Sequence, residues 1–272
     1  MEGQLSSKSL DWNLLWKQDK KTDSARNRRD YWDRRAPSFT NSSVEDGYTE
    51  PFLNILNAAP DWTVLDVGCG AGTLAIPLAK KVRGITAIDF APAMIELLDS
   101  RCRSAGINNI ATHVTGWEDD WSSLGIEPHD AAIASRSLVV EDLRAALEKL
   151  NNFARKRVVI SAPAGAGPFD PQLFAVVGRE LKPNPDYIYV YNLLYQMGIY
   201  ANVSFVVKRF CGTFANPEEA FDSVRWMFEE LSRAEQTRLE CFLSAHLVRA
   251  GERWKLDYER RVHWAIIWWD KF

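Results

Sequence analysis

Residues 64–79 read VLDVGCGAGTLAIPLA. The apolar run around Asp66 predicts a buried strand over 62–68, and the pattern that follows predicts a helix over 71–82. Between them, glycines let the chain turn tightly and let a ligand approach the backbone closely. The helix start beyond the turn offers N–H groups to a carboxylate or another anion. This stretch therefore predicts a strand, a ligand-binding glycine turn and a helix.

The glycine spacing narrows the class of ligand. Gly68, Gly70 and Gly72 stand in a GxGxG pattern shortly after an acid, whereas the dinucleotide fingerprint is GxGxxG. The spacing disfavours a nicotinamide dinucleotide. A glycine triplet by itself is weak support for any other ligand, and the class of ligand depends on what the neighbouring strands carry.

Strands and helices alternate outward from this stretch, which predicts βαβ units with helices on both faces of a sheet. The predicted fold is α/β and doubly wound, with a mostly parallel seven-stranded sheet, an N-terminal helical lid and a helical cap insertion. The predicted domains are a lid over 1–45 and an α/β domain over 46–272, which carries cap elements at about 164–200 and 215–251. The predicted strands are 62–68, 84–90, 108–116, 129–137, 155–163, 202–214 and 259–272, and the later helices are 216–231 and 232–251.

Asp89 closes the second predicted strand, in AIDFAPAMIELL. An acid about twenty residues past such glycines can accept hydrogen bonds from both hydroxyl groups of a ribose. The alternative is a plain helix cap ahead of Ala91 and Pro92. The runs TGWEDDW (115–121) and IASRS (133–137) end the third and fourth strands. Because open α/β sheets bind ligands at the carboxyl ends of their strands, these segments predict one nucleoside-binding crevice.

Charge and composition exclude several classes of function. The formal net charge is −3 and the pI is near 5.9, so no global field attracts nucleic acid or an anionic membrane. The N-terminus lacks the apolar region of a signal peptide, and no apolar run is long enough to span a membrane. We therefore expect a cytoplasmic protein with neither a nucleic-acid nor a membrane partner. The potential metal ligands are too scattered for a metal site: Cys69, Cys102, Cys211, Cys241, His113, His129, His246 and His263.

Together these motifs resemble the class I, seven-stranded S-adenosylmethionine-dependent methyltransferases. VLDVGCGAG is similar to the first motif of that family and AIDFAPAMIELL to the second. YWDRRAPSF (31–39) resembles a segment that precedes the domain in many small-molecule members, and LLYQMGIYANVSFVV (193–207) resembles the region of the penultimate strand. The resemblance implies S-adenosyl-L-methionine as cofactor and S-adenosyl-L-homocysteine as product.

The resemblance also implies roles for individual residues. Many relatives have Gly-Asp-Ala after the third strand, where this chain has Thr115-Gly116-Trp117-Glu118. Trp117 would therefore stack on the adenine, and Glu118 or Asp119 would make the polar contact. Asp89 would bind the ribose, and Phe90 and Met94 would flank the adenine. Tyr31 and Phe39 would lie over the donor, and Ser135 would enclose the methionine side. The methionine moiety itself would be held by Asp66, Gly68, Cys69, Gly70 and Gly72.

The acceptor side carries fewer signals, and no residue stands out as a general base. Arg136 is a candidate contact for a substrate anion, with a solvated helix-start residue as the alternative. Tyr195 is a second candidate, with core packing as the alternative. The leading interpretation is a methyltransferase that acts on a small molecule. A protein- or RNA-directed methyltransferase and a module that binds the cofactor without catalysis remain open.

Overall fold

This computed structural model describes residues 10–20, 29–36, 47–182, 184–210, 212–228 and 230–271. The described residues form ten α-helices and ten β-strands, numbered in chain order. The helices are α1 (Trp12–Asp19), α2 (Arg29–Arg35), α3 (Thr49–Leu56), α4 (Ala75–Ala79), α5 (Pro92–Ala105), α6 (Leu143–Asn152), α7 (Pro171–Val177), α8 (Tyr187–Gln196), α9 (Pro217–Arg225) and α10 (Arg233–His246). The strands are β1 (Thr63–Val67), β2 (Gly84–Asp89), β3 (Ile110–Val114), β4 (His129–Ser135), β5 (Ala154–Ala164), β6 (Asn202–Phe210), β7 (Thr213–Phe214), β8 (Leu247–Ala250), β9 (Arg253–Leu256) and β10 (Arg260–Asp270).

Seven strands form one sheet in the order β3-β2-β1-β4-β5-β10-β6, which confirms the predicted seven-stranded α/β fold. Strands β1 to β5 pair in parallel. Asp66 of β1 lies opposite Ala87 of β2 on one side and Ile133 of β4 on the other. The strand order reverses between β1 and β4, and open α/β sheets bind ligands at such a switch point. We call the edge at which β1 to β5 end the carboxyl edge.

The central strands are buried on both faces because helices cover both sides of a parallel sheet. Val64 and Leu65 of β1 and Ile133 of β4 are fully buried. Burying one such aliphatic side chain contributes about 1.5–3 kcal/mol. Helix α6 buries Leu143, Leu147 and Leu150, which share one helical face. This packing fixes the strand ends from which the candidate site is built.

The chain divides into two compact units. Unit 1 comprises the chain up to Ala162, Pro185–Val206 and Ala265–Phe272, and unit 2 comprises Pro163–Asn184 and Val207–Trp264. The aromatic helix α8 belongs to unit 1, where it packs on α1 and α6. The predicted lid over 1–45 and the predicted cap elements stay predictions.

Unit 2 contains a second sheet that the sequence patterns did not predict. Its three strands have the order β7-β9-β8, and β9 pairs antiparallel with both neighbours. The predicted helix 232–251 was therefore wrong at its end, because α10 stops at His246 and 247–250 forms β8. Leu239, Leu243 and Leu247 continue a helical repeat, but pairing of Leu247 with Leu256 of β9 prevails.

Two further boundaries differ from the sequence patterns. The predicted helix 71–82 is shorter, because turns around Gly72 occupy the first residues and α4 begins at Ala75. The predicted strand 202–214 is divided into β6 and β7 around Gly212. Such end effects are expected where a glycine interrupts an apolar pattern.

Candidate functional site

The glycine turn after β1 adopts a conformation that favours glycine at three positions. Gly68, Gly70 and Gly72 have φ angles of 69°, 52° and 84°. The N–H groups of Gly68 and Cys69 both donate to the carbonyl of Ile88, at 2.8 and 3.0 Å, which ties the turn to β2. A Cβ atom at Gly68 would lie 2.3 Å from Cβ of Ser137, whereas one at Gly70 would meet no described atom within 4 Å. The turn is therefore packed at Gly68 and open at Gly70.

Asp89 holds this turn from the end of β2. Its Oδ2 accepts from the Gly70 N–H and its Oδ1 from the Ala91 N–H, both at 2.9 Å. Burial raises the pKa of the Asp89 carboxyl, and the two backbone N–H groups oppose that shift. An ionised carboxylate can accept about four hydrogen bonds, so ribose hydroxyl groups could be added to these two.

A second acid, besides Asp89, bonds to the backbone at the start of α5. In the first turn of α5, the Ala93 N–H donates to Oδ1 of Asp33 at 3.2 Å. Asp33 lies on α2, and that helix also packs Trp32 against α5 and the glycine turn. The sequence patterns missed Asp33, since an acid in a charged helix gives no signal of its own.

Asp66 supplies a buried oxygen that can accept a hydrogen bond. The residue is 2% exposed, and its Oδ2 has no hydrogen-bond partner among the described residues. Burial, and secondarily the charge of Asp89, raise the pKa of Asp66 to about 7. A buried acceptor beside an open backbone at Gly70 fits a bound group that carries N–H donors or a positive charge. The residues present thus fit the methionine end of S-adenosylmethionine.

The raised pKa of Asp66 makes the stability of the free protein depend on pH. Unfolding returns this pKa from about 7 to its ordinary value of 3.8. The folded state therefore binds the extra proton between these values, and the free energy of unfolding falls as pH rises towards 7. We expect Asp66→Asn to remove this fall, so that the stability of the variant relative to wild type rises by about 2 kcal/mol between pH 5 and pH 7. Urea unfolding at both pH values measures it, and parallel curves for the two proteins would contradict the assignment.

The loop after β3 is held by its own acid and by neighbouring elements. Oδ2 of Asp119 accepts from the Gly116 N–H at 2.8 Å and from Thr115 Oγ1 at 3.0 Å, and the Gly116 bond lowers the pKa of Asp119. Trp117 donates through Nε1 to the carbonyl of Ser137 at 3.0 Å. Glu118 is exposed. Of the two acids predicted to contact adenine, Asp119 is thus engaged in the loop and Glu118 faces solvent.

The segment after β4 joins a network that the sequence patterns identified only in part. Oγ of Ser135 lies 2.7 Å from Oη of Tyr48, and Tyr48 donates to Oγ of Ser161 at 2.6 Å. Arg136 has φ 58°, its N–H donates to Ser161 Oγ at 2.9 Å, and its guanidinium lies 4.4 Å from the Tyr48 ring centre. Ser137 Oγ donates to the Val67 carbonyl at 2.6 Å, so this segment lies beside the glycine turn.

Tyr48 and Ser161 were missed for different reasons. Ser161 pairs with Ser135 across β4 and β5, so the carboxyl-end rule could have found it. Tyr48 precedes α3 and is fully buried. Its contacts depend on the fold, and no local pattern indicates them.

The remaining predicted residues lie in three different settings. Met94 is buried against Ala71 and Ala91, Phe90 is half-buried, and Tyr31 meets Trp32 edge-on at 5.2 Å. Tyr195 is 57% exposed on α8 and meets Tyr200 edge-on at 5.9 Å. Phe39 lies outside the described residues. The cofactor roles of these residues stay predictions.

The described thiols and possible metal ligands do not indicate a second site. Cys69 is buried in the glycine turn, and burial raises the pKa of its thiol well above the ordinary value, which disfavours a reactive thiolate. Within the described ranges, no three His, Cys, Asp or Glu residues are grouped to hold a metal ion. No described helix is long and apolar enough to cross a membrane.

Comparison with known proteins agrees with this geometry. A family model described as a methyltransferase domain matches residues 64–157, which contain the glycine turn, Asp89 and the ends of β3 and β4. The family match and the seven-stranded fold together show that the chain contains a class I methyltransferase domain, whose cofactor is S-adenosylmethionine. The chain is also similar to an uncharacterized protein of Haemophilus influenzae, at 32% identity over 246 residues that cover 88% of each chain.

Two other similarities are more restricted. A protein of known structure from Bacillus halodurans has the same fold, with a TM-score of 0.56 and 12% identity over 82% of this chain and 98% of that one. The 23S rRNA (uracil(1939)-C(5))-methyltransferase RlmD of Alcanivorax borkumensis is 33% identical over 70 residues. That match spans 26% of this chain and 16% of RlmD.

Proposed function

We propose that this methyltransferase acts on a small-molecule acceptor. The observation that carries the proposal is that three cations near the carboxyl edge are engaged by loop carbonyls. Arg101 donates to the Ala71 carbonyl at 2.7 Å, Lys20 to the Leu138 carbonyl at 2.9 Å and Lys149 to the Trp117 carbonyl at 2.9 Å. Each of these three cations therefore stabilises a loop at the carboxyl edge through a hydrogen bond to its backbone.

This arrangement disfavours RNA as the acceptor. Binding of nucleic acid depends on several cations that neutralise phosphates, and the chain has a net charge of −3. The similarity to RlmD is confined to 70 residues. A protein acceptor is left as the second candidate, since a protein needs no phosphate-binding surface. A cofactor-binding module without catalysis is disfavoured because the matching family model is described as a methyltransferase domain.

In this proposal, the described residues mainly bind and orient. The methionine moiety would be held by Asp66 and by the turn from Gly68 to Gly72, with Ser135 enclosing that side. Asp89 would bind the ribose. S-adenosylmethionine supplies an activated methyl group, which leaves its sulfur as the acceptor atom attacks in line. Positioning of the reactants can contribute about 7–11 kcal/mol to such a step. An acceptor hydroxyl or ammonium would also have to lose a proton, for which no described residue is assigned.

Arg136 remains the proposed contact for an acceptor that carries an anionic group. Its backbone is held in the left-handed region, which costs roughly 1–2 kcal/mol for a residue with a Cβ atom. Such strain is often found at functional positions. Tyr195 remains a proposed acceptor contact on the strength of the aromatic pattern alone.

Transfer of a labelled methyl group tests the proposal. We expect the protein, supplied with labelled S-adenosylmethionine and a cell extract, to label the small-molecule fraction. The matched control is the Asp89→Ala variant, which should label much less. Label that appears in RNA or protein instead would contradict the proposed acceptor class and leave the methyltransferase assignment in place.

We also propose a cytoplasmic location, because the cysteines are scattered and form no CxxC pair.

A further inference from the structure

Tyr48 links the ends of β4 and β5 through hydrogen bonds of defined direction. The Tyr48 hydroxyl donates to Ser161 Oγ at 2.6 Å. A phenol has one proton, and this contact uses it. Ser135 Oγ lies 2.7 Å from the same Tyr48 oxygen, so in that contact Ser135 must be the donor.

Ser161 also receives a hydrogen bond from the backbone. Ser161 Oγ also accepts from the Arg136 N–H at 2.9 Å, and a backbone N–H can only donate. Tyr48 is fully buried, and its ring lies against Phe52 and the Arg136 guanidinium. The ring cannot turn away without loss of this packing, so the Tyr48 hydroxyl stays between Ser135 and Ser161.

The bond to Tyr48 determines what Ser135 can offer to a ligand. With its proton directed at Tyr48, its oxygen offers only lone pairs to a further partner. Ser135 is half-buried at the end of β4, next to the segment in which Ser137 holds the Val67 carbonyl beside the glycine turn. Asp66, which offers an acceptor oxygen, lies on the adjacent strand β1. The two acceptors suit a ligand group that carries several N–H donors and a positive charge.

We propose that Tyr48 is a positioning residue that fixes Ser135 as a hydrogen-bond acceptor for the amino group of the methionine moiety. This inference rests on the proposed placement of the cofactor along the glycine turn. Without the Tyr48 hydroxyl, the Ser135 proton is free to rotate towards the ligand. Ser135 then no longer favours a ligand group that donates a hydrogen bond over one that accepts it. Tyr48 then acts on cofactor selectivity without touching the cofactor.

The test is calorimetry with two ligands, S-adenosylhomocysteine and its analogue that lacks the amino group. We expect wild type to bind S-adenosylhomocysteine about 10- to 100-fold more tightly, as for a hydrogen-bonded charged group. Tyr48→Phe keeps the ring packing and should reduce that preference about 3- to 10-fold, with the affinity for the analogue unchanged. Ser161→Ala should also reduce the preference for S-adenosylhomocysteine. The Tyr48 proton can then turn to Ser135, which leaves the Ser135 proton free to point towards the ligand.

A double substitution separates positioning from general structural damage. If Tyr48 acts through Ser135, adding Tyr48→Phe to Ser135→Ala changes neither affinity further. Equal weakening of both ligands by Tyr48→Phe, or a further loss in the Ser135→Ala background, would overturn the proposal. Should Tyr48→Phe fail to fold, the Ser161→Ala comparison decides in the same way. Failure of the proposed cofactor placement gives a different result, since wild type would then not distinguish the two ligands.

Discussion

Replacing Asp89 with alanine is expected to lower the affinity for S-adenosylhomocysteine by about 10- to 100-fold, or about 1–3 kcal/mol. Asp89 is the predicted partner of both ribose hydroxyls, and bonds to a charged acceptor are among the stronger hydrogen bonds. The carboxylate also orders the turn through the Gly70 and Ala91 N–H groups. Loss of the ribose bonds and loss of order in the turn should both weaken binding of S-adenosylhomocysteine. Isothermal calorimetry on the purified protein measures the change.

The matched control is Asp130→Ala at the opposite edge of the sheet. Asp130 also accepts a backbone N–H, from Thr63 at 2.8 Å, and forms an ion pair with Lys156 at 2.9 Å. Its replacement by alanine removes a comparable set of contacts at the amino end of β4. We expect Asp130→Ala to leave the affinity for S-adenosylhomocysteine unchanged. An unchanged affinity in Asp89→Ala would remove Asp89 from the site.

The second large effect concerns the glycine turn, where two substitutions should behave differently. Gly68→Ala places a Cβ atom 2.3 Å from Cβ of Ser137 at a φ of 69°. We expect a loss of about 3 kcal/mol or more in the free energy of unfolding, since a clash adds to the left-handed strain. Gly70→Ala meets open space and should lose only about 1 kcal/mol. Its methyl group would instead stand where the ligand approaches, lowering affinity by about tenfold or more.

Gly106→Ala is the matched control for Gly70→Ala. Gly106 ends α5 with a φ of 65°, and a Cβ atom there also meets no described atom within 4 Å. The two variants should lose similar stability in urea unfolding, whereas only Gly70→Ala should lose affinity. Full binding by Gly70→Ala would show that the ligand does not approach the turn at this position.

Much of the fold could be predicted because β1, β2 and β4 are short apolar runs and helices follow β1, β2 and β4. Such runs indicate burial on both faces of a sheet and need no knowledge of distant contacts. The β8-β9 hairpin could not be predicted in this way, since Leu247 fits the helical repeat of α10 and only its pairing with Leu256 makes it a strand. Local propensity yields to tertiary pairing at that point.

The candidate site was predictable where the carboxyl-end rule applies. Asp66, Asp89 and Ser135 stand at the ends of adjacent parallel strands, and the rule brings such residues together. Tyr48 was not predictable, because its partner Ser161 lies 113 positions away in the chain. Asp33 was missed for the same reason, since its bond to Ala93 joins segments 60 positions apart.

The central claim is that the cofactor lies at the carboxyl edge between the glycine turn and Asp89. A crystal structure of the protein with S-adenosylhomocysteine tests it most directly. We predict ribose hydroxyls within hydrogen-bond distance of the Asp89 carboxylate and the methionine end along Gly68 to Gly72, with its amino group near Ser135. A nucleoside bound at another edge of the sheet, or a ribose turned away from Asp89, would contradict the account.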